Sequence, residues 1–197
     1  MMPSENECLR ILREEGCRSN IIQHVCMVKM IAVAMAMASG ANMRLVTAGA
    51  LLHDLGRSRT QTTLHSYEGA RLLREKGLPE ELARVVQRHM GAGFTHEEAN
   101  VLGLPEGDYM PETLEEKIVC HADNLVKGTA GIQTLREALD EMTNRGHPTS
   151  AERMRAMHQE LSAACSVDVD DLVKSLRADW QVKGPCAAYI GQKDARP

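Results

Sequence analysis

Aromatic side chains are almost missing from this chain, which has one Trp, one Phe and three Tyr in 197 residues. Strands draw on aromatic and β-branched residues, and no segment here alternates apolar with polar positions for long enough to form one. A β-sheet is therefore not expected. A basic excess is also missing. The 23 Lys and Arg against 27 Asp and Glu give a formal net charge of −4, with no basic stripe that would follow a phosphate backbone. That argues against nucleic acid as an obligate partner. The longest apolar run, around residues 31–38, is too short to span a bilayer, and residues 1–10 contain no apolar signal core. The expectation is a cytoplasmic protein with no membrane association. The six cysteines show neither CxxC spacing nor a compact disulfide framework, so reduced thiols are expected. Cys26 and Cys120 lie in apolar helical runs, where a thiol serves as a small core residue rather than a nucleophile.

What the chain does have is helix punctuation. Ser4, Thr95, Thr113 and Thr149 each open an S/T-x-x-E capping box. Gly16, Gly40, Gly56, Gly77, Gly103, Gly128 and Gly146 follow helical runs where left-handed caps fall. The pattern predicts helices over 4–15, 20–38, 42–55, 66–76, 79–90, 95–102, 113–127, 131–145, 149–165 and 168–180. The fold class is thus all-α, a compact helical bundle forming one domain over 1–180. A tail over 181–197 has no period and is expected to pack loosely. Segments 25–38 and 45–55 are apolar on all sides, which marks them as central helices. No interface stripe is visible, although a homodimer is compatible with the pattern.

His53-Asp54 closes the second of those segments, and a buried helix end is a costly place for an imidazole and a carboxylate unless something satisfies both. A capping Asp beside a carbonyl-bonded His would do so, and so would a divalent metal. Other candidates follow the same logic. His24 opens an apolar helix, and Asp123 lies at the edge of the stripe Leu114, Ile118, Val119, Ala122, Leu125 and Val126. His24, His53, Asp54 and Asp123 make a two-His, two-carboxylate set that leaves a coordination position open for water. His65 and His89 sit at helix ends and suit either a second ion shared through Asp54 or donors to a substrate phosphate over a single ion. Imidazole with carboxylate suits iron, manganese, zinc or nickel. Arg57 is placed to neutralise a phosphate held there, with Arg59 and Lys127 weaker candidates. His96 is expected to be wet or at the pocket mouth, His121 structural, and His147 and His158 surface residues.

The segments Leu51-Leu52-His53-Asp54-Leu55-Gly56, His65-Ser66-Tyr67-Glu68-Gly69-Ala70 and His121-Ala122-Asp123-Asn124-Leu125 resemble the HD-domain metal-dependent phosphohydrolase superfamily over about 20–127. The spacing is most similar to the subgroup containing bacterial diadenosine tetraphosphate hydrolases. That resemblance implies His24, His53, Asp54 and Asp123 around one ion and Asp54, His65 and His89 around another. The chain departs from the subgroup at Met90-Gly91, where a threonine pair is usual, and in lacking an Arg at the usual distance after Asp123. A dinucleotide substrate therefore does not follow.

The leading functional expectation is hydrolysis of a phosphoester or phosphoanhydride of a nucleotide or other small phosphorylated metabolite by metal-activated water. Asp54 is central and Arg57 steadies a non-bridging oxygen. Two alternatives stay open. Some HD proteins use the same ligands around a di-iron pair for oxygen-dependent cleavage, and a non-catalytic nucleotide-binding regulatory module would fit a domain standing alone.

Overall fold

The computed structural model describes residues 1–178 and 184–188, and no strand occurs among them. Ten α-helices follow in order: α1 (Glu5–Glu14), α2 (Ser19–Ser39), α3 (Met43–Leu52), α4 (His65–Glu75), α5 (Glu80–Gln87), α6 (His96–Val101), α7 (Leu114–Asn124), α8 (Leu135–Asn144), α9 (Pro148–Cys165) and α10 (Val169–Ala178). Two 3-10 turns, Leu55–Ser58 and Gly184–Ala188, complete the described elements. Of the tail, residues 181–183 and 189–197 lie outside the described residues.

The all-round apolar character of α2 decides the architecture, because a helix without a polar face has to be enclosed. It packs against α3, α7, α9 and α10, with Val25, Val28, Ile31, Ala32 and Met35 fully buried or nearly so. Each large side chain hidden in this way contributes about 1.5–3 kcal/mol. The expectation from residues 31–38 understated this element. At 21 residues, with a window of mean hydropathy 1.8, α2 is long and apolar enough to cross a membrane by those two measures, and 56% of that window is buried inside the bundle. The second apolar helix, α3, lies against α1, α2, α5 and α7.

Helix starts follow local chemistry with two revisions. Capping boxes form at Ser4, Thr95 and Thr113. The box expected at Thr149 does not form, because Pro148 takes the first helical position of α9, with His147 as a cap that makes no side-chain bond. A fourth box forms at Thr134 with Glu137 and starts α8 four residues later than expected. Residues 131–133 instead return along the end of α7, where Lys127 N–H donates to Gly131 O and Gln133 N–H donates to Leu125 O.

Six of the seven expected glycine caps have φ between 53° and 84°. Gly56 does not, and its role is steric: a Cβ there would lie 1.9 Å from His65 O and 2.6 Å from Gly69 N. Only glycine lets the first 3-10 turn lie flat on the start of α4. The thiol expectation also needs correction. Cys26 and Cys186 form a disulfide across 160 residues of sequence, with Cα atoms 6.0 Å apart. The second 3-10 turn packs on α1 and α2 and buries Cys186, which brings its sulfur to α2. Cys8, Cys17, Cys120 and Cys165 are free.

Candidate metal centre

The predicted helix over 42–55 stops at Leu52. His53 occupies the cap position with helical dihedrals, and Asp54 then turns to φ −94°, ψ 12° before the 3-10 turn. That sparsely populated bridge conformation changes the winding between two adjacent residues and lets both side chains face one centre. His24 lies in the second turn of α2 rather than opening it, His65 is the first residue of α4, His89 follows the end of α5 by two residues, and Asp123 is in the last turn of α7. Five separate chain segments thus deliver six side chains, and the four imidazoles and Asp54 are all buried.

Each imidazole is aimed by a backbone carbonyl. Nδ1 lies 3.2 Å from Gly128 O in His24, 2.8 Å from Ala50 O in His53, 2.7 Å from Thr62 O in His65 and 2.6 Å from Val86 O in His89. A carbonyl only accepts, so Nδ1 carries the proton and Nε2 of the neutral ring carries the lone pair. The Nε2 atoms converge in two pairs, His24 with His53 at 3.3 Å and His65 with His89 at 3.2 Å. The carboxylates stand at the same points. Asp123 Oδ1 lies 2.9 Å from His24 Nε2 and 3.4 Å from His53 Nε2. Asp54 divides between the pairs: Oδ2 is 3.8 Å from His24 and His53, while Oδ1 is 3.1 Å from His65 and 3.8 Å from His89.

Lone pairs facing lone pairs and carboxylates in a buried space are unfavourable without positive charge between them. The electrostatics reflect this. Burial alone would depress His53, but Asp54 and Asp123 outweigh it and raise its pKa. His89 is pushed down to about 3, first by burial and then by the neighbouring His53 and His65. Burial opposes ionisation of Asp54, yet His53, His65 and Arg57 hold its pKa below the usual carboxylate range. Asp123 is lowered likewise, by His53 and His24 against its burial. Asp54 Oδ1 is buried with no properly aligned hydrogen bond, although Arg57 Nε stands 2.7 Å away. A buried, under-satisfied carboxylate oxygen among bare imidazole nitrogens is compatible with a divalent metal.

The other candidates fall apart from this centre. Arg59 pairs with Glu15, away from it. Lys127 reaches Glu141 at 3.4 Å on the rim of the adjoining cleft. His96 and His147 are exposed. His121 is buried, as expected, with Nε2 at 3.0 Å from His158 Nδ1, and its pKa is pushed down to about 3, first by burial and then by His158. His158 is a correction: it is buried, and its Nε2 lies 3.3 Å from Asp168. The signal was present in Met154, Met157, His158, Leu161 and Cys165, a buried stripe at helical spacing. Sequence reading also missed Asn124, Gln133, Glu141 and Arg145, which line the cleft with His24, Asp54 and Asp123. Asn124 adjoins Asp123, and its amide donates to Gly91 O. The other three reach the cleft through tertiary packing that no local pattern encodes.

A family model described as the HD domain matches residues 21–128. The tRNA (cytidine(56)-2'-O)-methyltransferase of Picrophilus torridus is 46% identical over 175 residues, which cover 89% of this chain and 51% of that protein. The protein of the same name from Thermoplasma volcanium is 42% identical, covering 87% and 51%. The chain thus spans about half the length of these two relatives. An uncharacterized protein of Methanocaldococcus jannaschii is 42% identical over 153 residues, covering 74% of this chain and 90% of that protein. Among solved structures, the HD domain of the L. monocytogenes phosphodiesterase PgpH, in complex with cyclic-di-AMP, aligns with a TM-score of 0.55 at 16% identity, covering 90% of this chain and 98% of that one. At that identity the likeness shows the fold. None of these relatives bears the name of a diadenosine tetraphosphate hydrolase.

Proposed function

The chain belongs to the HD-domain family, and on that footing we propose that it is a metal-dependent phosphohydrolase acting on a phosphoester or phosphoanhydride of a nucleotide or small phosphorylated metabolite, within one domain over 1–180. The observation that carries this reading is the division of Asp54, with one oxygen turned to each pair of imidazole nitrogens. In this reading His24, His53, Asp54 and Asp123 would hold one ion, and Asp54, His65 and His89 would hold a second. Iron, manganese, zinc and nickel suit that donor set.

Such ions, when bound, bring the pKa of coordinated water toward neutrality and offset charge on phosphate oxygens. The chain's own residues do the rest. The four Nδ1–carbonyl contacts fix the tautomer and the plane of each ring, so little reorganisation remains when the site loads. Arg57, on the floor of the cleft and 28% exposed in its side chain, exchanges its contact with Asp54 for a non-bridging phosphate oxygen and steadies the developing charge there. Burial of the imidazoles restricts water to the open side of the cleft. The two relatives named as tRNA methyltransferases share this half and extend for about as much again. We read the shared half as the hydrolytic unit and the methyl-transfer name as attached to the longer whole.

The test is elemental mass spectrometry of the purified protein beside a screen of phosphomonoesters, phosphodiesters and phosphoanhydrides, repeated with Asp54→Ala. About two metal equivalents and a phosphoester activity, both lost in Asp54→Ala, support the reading. Full metal content and full activity in Asp54→Ala refute it.

A further inference from the structure

The two halves of the centre carry unequal charge. At the outer half, Asp54 and Asp123 both face His24 and His53, and among the described residues Asp123 has only those two imidazoles as ion-pair partners. At the inner half, His65 and His89 face Asp54 Oδ1, at 3.1 and 3.8 Å, and that oxygen already has Arg57 Nε at 2.7 Å. Among the described residues Asp54 is also the only ion-pair partner of Arg57. Access differs as well. His24, Asp54, Arg57 and Asp123 line the cleft, whereas His65 and His89 do not and have side chains only 2% and 1% exposed. The inner half therefore lies behind Asp54, with Arg57 beside it on the cleft floor.

A guanidinium and a divalent ion in contact with one carboxylate oxygen repel each other, and a half-buried position is screened little by salt. One of the two has to give way. Arg57 ends a long, partly exposed side chain with open cleft in front of it, so it is the cation able to move. We propose that Arg57 is a gate on the inner half: it neutralises Asp54 until a second ion displaces it, so that the outer half fills first. The guanidinium is freed into the cleft only when the inner half fills. The inference rests on the metal-dependent hydrolase reading for the two halves, and it ties the release of Arg57 toward a phosphate to the supply of metal.

Equilibrium dialysis of the full chain against buffered manganese(II), followed by elemental analysis, gives the ions bound at each free metal concentration. Wild-type protein should fill in two steps, the second absent in His65→Ala. In Arg57→Gln the free manganese that half-fills the second step should fall about tenfold, with the first step moving by less. That gain should vanish when Arg57→Gln is combined with His65→Ala. Arg59→Gln, which removes a neighbouring loop cation paired with Glu15, should match wild type. Damage to folding cannot imitate a gain in affinity. A second step unchanged or weakened in Arg57→Gln overturns the gate, since an Arg57 that only braced Asp54 would give that result. If wild-type protein binds a single ion, a second ion bound by Arg57→Gln upholds the gate. One ion in both overturns it and leaves a mononuclear hydrolase to the phosphoester screen. No ion bound by any of these proteins removes the metal reading, and the gate with it.

Discussion

Replacing Gly56 by Ala adds one methyl group to the chain, and the structure gives that methyl nowhere to go. Its carbon would sit 1.9 Å from His65 O, whereas ordinary van der Waals contact begins at 3.4 Å, so the two backbones must part by about 1.5 Å. Neither side can yield by rotating a side chain, because both obstacles, His65 O and Gly69 N, are main-chain atoms in the first two turns of α4. Overpacking of a core costs about 1–3 kcal/mol, and a backbone clash belongs at the upper end. For a domain of this size about 3 kcal/mol lowers Tm by roughly 6–12 °C. The displacement also carries His65 away from Asp54, now 3.1 Å distant, so about one of two metal equivalents should be lost. Thermal unfolding followed by circular dichroism, with elemental analysis of the same samples, measures both. Gly49→Ala is the comparison, since its new methyl meets Val85 Cγ1 at 2.6 Å, a side-chain atom able to move, and a smaller loss of Tm with full metal content is expected. A Gly56→Ala protein with wild-type Tm and wild-type metal content refutes the reasoning.

His65→Ala should keep about one metal equivalent, because His24, His53, Asp54 and Asp123 remain, whereas Asp54→Ala should keep almost none; elemental mass spectrometry separates the two. Arg88→Met should destabilise by about 3–5 kcal/mol in urea unfolding, since it strips the partner 3.0 Å from Glu116, a carboxylate only 2% exposed. In the metal-free protein, His89 and His121 have folded pKa values near 3, below the ordinary value of 6.5. Their contribution to stability is therefore complete above about pH 6.5 and is lost as the pH falls toward 3. The urea midpoint should drop across that window, less steeply in His121→Asn, and an identical slope in that variant would contradict the assignment.

Much of this molecule was legible before its structure. Ten helices were expected and ten are described, because capping boxes, left-handed glycines and apolar periodicity are local signals that tertiary contacts reinforce. The six side chains now gathered at one centre stood out for a related reason, as polar groups at the margins of apolar helices. What escaped depended on distance in the chain. Pairing of Cys26 with Cys186 and of His121 with His158 joins segments that no local pattern links. Gly56 was read as a cap because glycine after an apolar run usually is one, whereas its function is set by a helix that begins nine residues later. At Thr149 the preference of proline for a first helical position prevailed over a capping box that looked equally good on paper.

The centre is also a knot in the topology. His24 and Asp123, 99 residues apart, meet within 2.9 Å, and His53, Asp54, His65 and His89 lie between them in sequence. In the proposed reading, an ion gripped by both ends would close the segment between them into a ring without a covalent bond. Because such an ion would be held by the folded arrangement and not by the unfolded chain, its binding free energy would add to folding stability by mass action. If the proposed ion binds there, folding and metal supply would be one equilibrium. Scarcity of the metal would then lower the standing amount of this protein through turnover of its opened form, well before any shortage of catalyst could be detected as a slower reaction.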